Sequence, residues 1–425
     1  MRTTRTTRTT QRGAASLAVV SLLGLALLLA VGHAARQLAV EQRASASQLR
    51  ATQAFEAAEA GSAWALAMLA RGERVDATCT PTADPARPSF RDARLEVEPT
   101  SGTLVPRPWN DGGTLRAMHA ACAWRDGAWR CSCPVDAPPA LPGGDGPAFV
   151  VEVAAGPAAG LQTLVALGCT RGDGDCAAGV SGAHDAAARV ESVLGLVPAL
   201  RALPFAALTV QGGVGSDAAW RVRRDDAAPG GLALHAGPSA AAAPLLRLEG
   251  PAGSPRAALV ADADATLAAL APDRLFARHF GVLPAAWSSR PGVARIRCGP
   301  GPCDAAVADA VAAGATMLHV GSDTVPPAAI VLRGPLALGT ADRPVAVAVH
   351  GELRIDGAVT AAGFLHTDAL AWTGSGGGVR GAVVVAGPVS GDGTPLVVHD
   401  GAVLERVRGA TGVLAALPGS WKDFR

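Results

Sequence analysis

Eight cysteines are the residues of this 425-residue chain whose spacing implies chemistry most directly. Cys169 and Cys176 flank Thr-Arg-Gly-Asp-Gly-Asp, and Cys298 and Cys303 flank Gly-Pro-Gly-Pro, so each pair is placed to close a short turn as a disulfide. Cys79, Cys122, Cys131 and Cys133 lie in a loop-rich stretch. Cys131 and Cys133 are too close to bond each other comfortably. Each is therefore expected to pair with Cys79 or Cys122, and the sequence leaves open which. A zinc site built from these four thiolates is the rival reading, but it wants CxxC-type pairs and the stretch has a single CxC. Cysteine usage of this kind points to an oxidising compartment.

Other clusters weigh less. Ser181, His184 and Asp185 have the residue types of a nucleophilic triad, yet triad members are normally far apart in sequence, and this cluster reads as a turn. Arg171-Gly172-Asp173 belongs to the Cys169–Cys176 turn, where Asp173 and Asp175 lack the downstream Glu of a calcium loop. His350, His366 and His399 end apolar runs, with Asp356, Asp368 and Asp400 nearby. Gathered in one cleft, they would suit a polysaccharide; spread along an edge, they are solvated surface. No GxSxG, HExxH, Walker A or GxGxxG occurs in a strand–helix setting. The expectation is no catalysis, no cofactor and no metal.

The elements that position these residues are built from small side chains. Hydrophobic residues make up 49% and aromatic ones only 4%, there is no Tyr, and Gly 51 with Pro 31 is a loop-and-strand composition. Thin apolar layers of stacked β-structure suit it better than a bulky core. Lys+Arg 37 against Asp+Glu 36 gives no reason to expect nucleic acid as a ligand.

The first twelve residues carry Arg2, Arg5, Arg8 and Arg12 and no acid, and Ala14 to Gly32 then runs without a charge. As a helix this run spans roughly 28 Å, the thickness of a bilayer core. The flanking charge predicts a cytoplasmic N-terminus and an exported remainder. A cleaved secretory signal is the other reading, but its apolar core is usually shorter and non-helical sequence follows it. Here no proline interrupts Met1 to Cys79, and residues 33–71 are good helix formers. Leu38, Gln42, Ser45, Leu49, Thr52, Phe55, Ala58, Ser62, Ala65 and Leu69 recur in threes and fours on one face. Membrane helix and stalk together make a rod of about 85 Å, with Gly72 as a stop.

Gln11-Arg12-Gly13-Ala14-Ala15-Ser16-Leu17, the apolar run, and Gln53-Ala54-Phe55-Glu56-Ala57-Ala58-Glu59-Ala60 come in an order that resembles PilX-like type IV pilus assembly proteins, which are minor pilins. The stretch Leu275-Phe276-Ala277-Arg278-His279-Phe280-Gly281 through Cys298 and Cys303, and the terminus Pro418-Gly419-Ser420-Trp421-Lys422-Asp423-Phe424, are more loosely similar to the same family. The resemblance implies prepilin-peptidase cleavage after Gly13, exposing Ala14 as the mature N-terminus. Major pilins carry Phe at the first mature position and Glu at the fifth, where this chain has Ala14 and Ala18. Without that carboxylate a buried terminal amine lacks its partner, which argues against a major fibre subunit.

In the exported part, residues 149–153, 163–167 and 190–194 alternate as strands, and 95–98 is expected to join them in a small antiparallel sheet under the stalk. Beyond Pro204, short apolar runs recur between glycine-rich turns. Starts near 345, 364 and 383 suggest a repeat of about 19 residues, a rung length for a β-solenoid. Helices are expected at 272–280, with Pro272 first, and at 304–313, with Asp304 as N-cap and Gly314 as stop. The fold class is α+β: a long N-terminal transmembrane and stalk helix, then a disulfide-bearing β-rich region, solenoid-like at its C-terminus. The expected divisions are a leader (1–13), a membrane helix (14–32), a stalk (33–71), a disulfide-rich pilin-like module (72–203) and a β-rich domain (204–425).

The leading expectation is a minor-pilin-like component, single-pass in the inner membrane with its C-terminal region periplasmic. It would initiate or cap the pilus beside other minor pilins and assembly proteins. The alternative is a membrane-anchored periplasmic carbohydrate-binding protein or hydrolase on a β-solenoid.

Overall fold

The computed structural model describes residues 13–98, 102–111, 113–141, 144–172, 176, 186–225, 231–239, 243–324 and 327–423. Its first element is one helix, α1 (Gly13–Ala70), 58 residues long. The face from Leu38 to Leu69 divides in two. Leu38, Gln42, Ser45, Leu49 and Thr52 are exposed, whereas Ala58, Ala65 and Leu69 are buried and Phe55 and Ser62 half-buried.

The buried part rests on an antiparallel sheet of β1 (His119–Arg125), β2 (Ala128–Ser132), β3 (Ala148–Ala155), β4 (Leu161–Cys169), β5 (Ala187–Pro198) and the last strand of the chain, β20 (Gly412–Ala416). The spatial order is β20-β5-β4-β3-β1-β2. Small residues let helix and sheet approach closely. A Cβ at Gly168 would run into the backbone of Ala54, Ala57 and Ala58, and one at Gly61 into the ring of Phe149. The alanines between the acids are thus the contact face, and Glu56 and Glu59 stay in water. Residues 95–97 do not join this sheet. They pair with 104–106 in a separate ribbon, closed by hydrogen bonds between Glu98 and Thr103 and between Gly102 and Glu98 that satisfy the backbone locally.

Cys79 bonds Cys133 and Cys122 bonds Cys131, which resolves the choice the sequence leaves open. Cys122 and Cys131 lie directly opposite one another in the β1–β2 ladder. Cys169–Cys176 and Cys298–Cys303 close the two short turns.

Between β5 and β20 the chain builds a second sheet in which every strand pair is parallel. Its strands are β6 (Ala206–Val210), β7 (Arg221–Arg224), β8 (Leu232–Ala236), β9 (Arg247–Glu249), β10 (Val260–Ala261), β11 (Val293–Cys298), β12 (Met317–Ser322), β13 (Ile330–Leu332), β14 (Leu336–Leu338), β15 (Val345–Ile355), β16 (Val359–Trp372), β17 (Gly378–Val385), β18 (Val389–Ser390) and β19 (Leu396–His399). Val345 lies opposite Gly363, Gly363 opposite Gly381 and Gly381 opposite His399, an interval of 18 residues each time, not 19. Gly363 and Gly381 have positive φ, and a Cβ on either would strike the backbone of the strand before it. The repeat is therefore set by stacked glycines, one residue ahead of the apolar runs.

The ladders curl around one apolar interior. In β15, Val345, Val347 and Val349 point into it, while Ala346 and Ala348 lie outside under helices. Those helices include α4 (Pro272–Phe280), α5 (Pro284–Ser288) and α7 (Gly401–Ala410), which bring Phe276, Phe280, Trp287 and Leu404 onto Phe364, Ala382 and Val384. A second, shorter helix, α2 (Phe90–Arg94), precedes the small ribbon, and α3 (Ala265–Ala268) precedes α4.

Helix α6 (Asp304–Ala312) corrects one expectation. Cys303, tied to Cys298, holds the N-cap position without a side-chain cap bond. Asp304 is the first helical residue, and its carboxylate accepts the backbone N–H groups of Arg333 (2.9 Å) and Gly334 (2.7 Å). Its two charge-assisted bonds therefore tie the start of the helix to the turn after β13 instead of capping the helix.

Strand order does not follow the sequence. The chain enters the second sheet at β6, runs outward through β8 to β10, crosses by α3–α5 to the far end at β11, and winds back until β17 lies against β6 and β19 against β7. It then returns through α7 to β20, where Gly412 pairs with Pro198 of β5. A division at 203/204 takes no account of that return.

Candidate functional site

Between Ser16 and Gln53 no side chain of α1 is buried. Leu17, Leu22, Leu25, Leu28 and Leu29 are among the exposed apolar residues, and the segment is long and apolar enough to cross a membrane. Each such side chain gains about 1.5–3 kcal/mol on leaving water, so this surface calls for a lipid or protein cover. Gly13 and Ala14 begin the helix, and the leader residues 1–12 lie outside the described residues.

The helix leaves the sheet at Ala54, and the C-terminal segment straps that point. Trp421 meets Phe55 edge-on at 6.2 Å, and Lys422 bonds Glu191 at 2.7 Å. Glu191 is held below the usual carboxylate range, first by the Lys422 hydrogen bond and then by Arg189. At the other end of α1, arginines tie the segment that follows the helix to distant parts of the chain. Arg91 donates to the carbonyls of Ala410 and Gly412, Arg74 to that of Ala312, and Arg343 pairs with Asp92 at 2.8 Å. Arg94 lies buried over the Phe90 ring and donates to Pro134 and His119 carbonyls. Burial pushes its pKa down to about 10, so it stays protonated at neutral pH.

The histidines and aspartates singled out by sequence occupy different environments. His350 is exposed and lies 3.1 Å from Asp368, whose carboxylate also accepts the Gly351 N–H. His366 is buried against Phe276 and Phe280, and burial depresses its pKa to about 3. His399 sits 3.1 Å from the Pro204 carbonyl. Asp356 accepts from Arg354 and Thr373, and Asp400 caps α7 and pairs with Arg380. Among these candidates His350, His366 and Asp368 line one groove with His319, which sequence reasoning passed over, and His399 and Asp400 line another. Among the described residues no group of three or more His, Cys, Asp or Glu could hold a metal ion. Ser181, His184 and Asp185, together with Asp173 and Asp175, lie outside the described residues; Arg171 pairs with Asp145 at 2.7 Å.

Sequence reasoning also passed over the exposed edge of the antiparallel sheet. Trp124 and Trp129 face each other across β1 and β2, 5.5 Å apart and edge-on. Trp129 reaches Phe149 at 4.9 Å and Phe149 reaches Trp64 of α1 at 5.5 Å. The only sequence signal was Trp-Arg-Asp-Gly-Ala-Trp, with Asp126 and Gly127 at positive φ in the hairpin turn.

No family model matches this chain, and no curated protein does. Among solved structures, the competence-associated pilin ComZ from Thermus thermophilus is similar over 88% of this chain and 97% of that chain, with 12% identity and a TM-score of 0.21. At that TM-score the likeness carries no argument.

Proposed function

We propose that this chain is a PilX-like minor pilin, a low-copy component that initiates or caps type IV pilus assembly. The observation that carries the reading is the division of α1. One continuous helix packs its last turns on an antiparallel sheet and leaves an uncharged apolar stretch uncovered. A helix of that kind serves two states, lying in lipid before assembly and against neighbouring pilin helices afterwards.

On this reading Gly13 is the last leader residue and Ala14 the mature N-terminus. The protein is single-pass in the inner membrane, with the β-rich head in the periplasm or at the pilus tip. The parallel strands form a β-solenoid, supported by the 18-residue register. The role is structural: the candidate His and Asp side chains are mostly engaged by different neighbours, which supports a scaffold over a catalyst.

Mass spectrometry of the mature N-terminus, with a count of pili in a deletion strain, tests this. Cleavage after Gly13 and a loss of pili are expected. An intact leader with normal piliation sinks the reading.

A further inference from the structure

We infer that the outer edge of β2 is a docking site for an extended segment of another exported polypeptide, one that carries an acidic residue between two apolar ones. This does not depend on the pilin reading. Among the described residues β2 is the terminal strand of its sheet and pairs on one side only, with β1. The Cys122–Cys131 pair is bridged with a Cα separation of 4.0 Å, the close spacing of a non-hydrogen-bonded pair. Alternation then turns the N–H and C=O of Trp129 and Cys131 away from β1. At the far end the same edge is already in use, where Cys133 N–H donates to the Ala77 carbonyl at 2.8 Å.

The surface beside this edge is apolar on one face and cationic on the other. Trp129 and Trp124 are 37% and 39% exposed on the face that carries α1, although α1 packs over β3, β4, β5 and β20 and stops short of them. Arg130 is exposed on the opposite face. Ala128–Ser132 contains no Pro and no bulge, so its outward backbone groups stay able to pair, and its one charged residue is Arg130. Two disulfides hold it in place, so little ordering is needed when a partner strand arrives.

The charge selects the occupant. If two copies paired edge to edge with the outward groups of Trp129 and Cys131 interlocked, Arg130 would lie directly opposite Arg130 of the second copy, a like-charge cross-strand pair. A foreign strand avoids this by setting Asp or Glu opposite Arg130 and apolar residues opposite Trp129 and Cys131. Main-chain bonds then give affinity and the alternating side chains give specificity.

The test uses the full chain in detergent micelles and three seven-residue probes. These are Ser-Thr-Val-Glu-Val-Thr-Ser, the same peptide with Lys for Glu, and the Glu peptide N-methylated on its edge-facing amides. Tryptophan fluorescence reads binding, and hydrogen exchange reads protection of the Trp129 and Cys131 amides. The Glu peptide should bind at least tenfold tighter than the Lys peptide and protect both amides, and N-methylation should abolish binding. Arg130→Glu, an exposed substitution that leaves the core intact, should reverse the preference. Equal binding of the Glu and Lys peptides, or an unchanged preference in R130E, overturns the inference. So does a peptide-free dimer that protects the same amides, because the occupant is then a second copy.

Discussion

His279 and His366 are the residues whose burial has the clearest price in pH. Desolvation depresses them to about 4 and about 3, well below the ordinary histidine value. As pH falls below about 6.5 the unfolded chain takes up these protons and the folded chain does not, so stability declines through that window. Thermal melts should therefore drop between pH 6.5 and 4.5, before most carboxylates titrate, and His366→Gln should flatten the slope. An unchanged slope in that variant would show that the ring is not held neutral. Gly168 makes a separate prediction. Gly168→Val forces β4 off α1 at Ala54 and Ala58 and should destabilise the folded state by about 1–3 kcal/mol, read by denaturant titration. At this scale the sequence was partly legible. The alanines of the stalk motif announce close packing, but whether His366 faces an aromatic cluster or solvent depends on α4, some 90 residues earlier in the chain.

At the scale of elements, loop length ranks the disulfides. Cys79–Cys133 closes a separation of 54 residues and Cys298–Cys303 one of 5. Chain-entropy arguments put their contributions near 4 and 2 kcal/mol respectively. Paired Cys→Ser variants, compared by urea midpoint, should keep that order. Asp400 caps α7 through the Val403 N–H, so Asp400→Ala should cost about 1 kcal/mol in the same assay. Strands with continuous apolar runs, such as β15 and β17, were readable because they are covered on both faces, by the interior and by helices. β7 and β9 were not, because Arg-Val-Arg-Arg and Arg-Leu-Glu each offer one apolar side chain to the interior, Val222 or Leu248, between charged residues. Residues 95–97 alternate convincingly, yet their partner is 104–106, and local closure outcompeted the larger sheet.

For the whole molecule, the illegible feature is connectivity. Periodicity reports which segments are strands, but the pairing of β6 with β17 joins residues roughly 175 apart, and no local signal encodes it. Because the Ala199 N–H already bonds the Thr411 carbonyl, residues 200–410 can be replaced by Asn-Gly to close β5 and β20 as a hairpin. The shortened chain should still form Cys79–Cys133 and Cys122–Cys131, checked by non-reducing peptide mapping; scrambled pairs would show that the antiparallel sheet depends on the inserted unit. The same return of the chain governs the order in which the protein becomes complete. At synthesis rates of roughly 5–20 residues per second, β20 follows β5 by about 10–40 s, and β5 waits with an unpaired edge throughout. The second sheet waits as well, since β6 and β7 are flanked only when β17 and β19 emerge. A product that stops before Leu396 leaves β5 and β7 each open on a side that the finished chain covers, so an incomplete chain offers proteases backbone that is paired in the full-length protein.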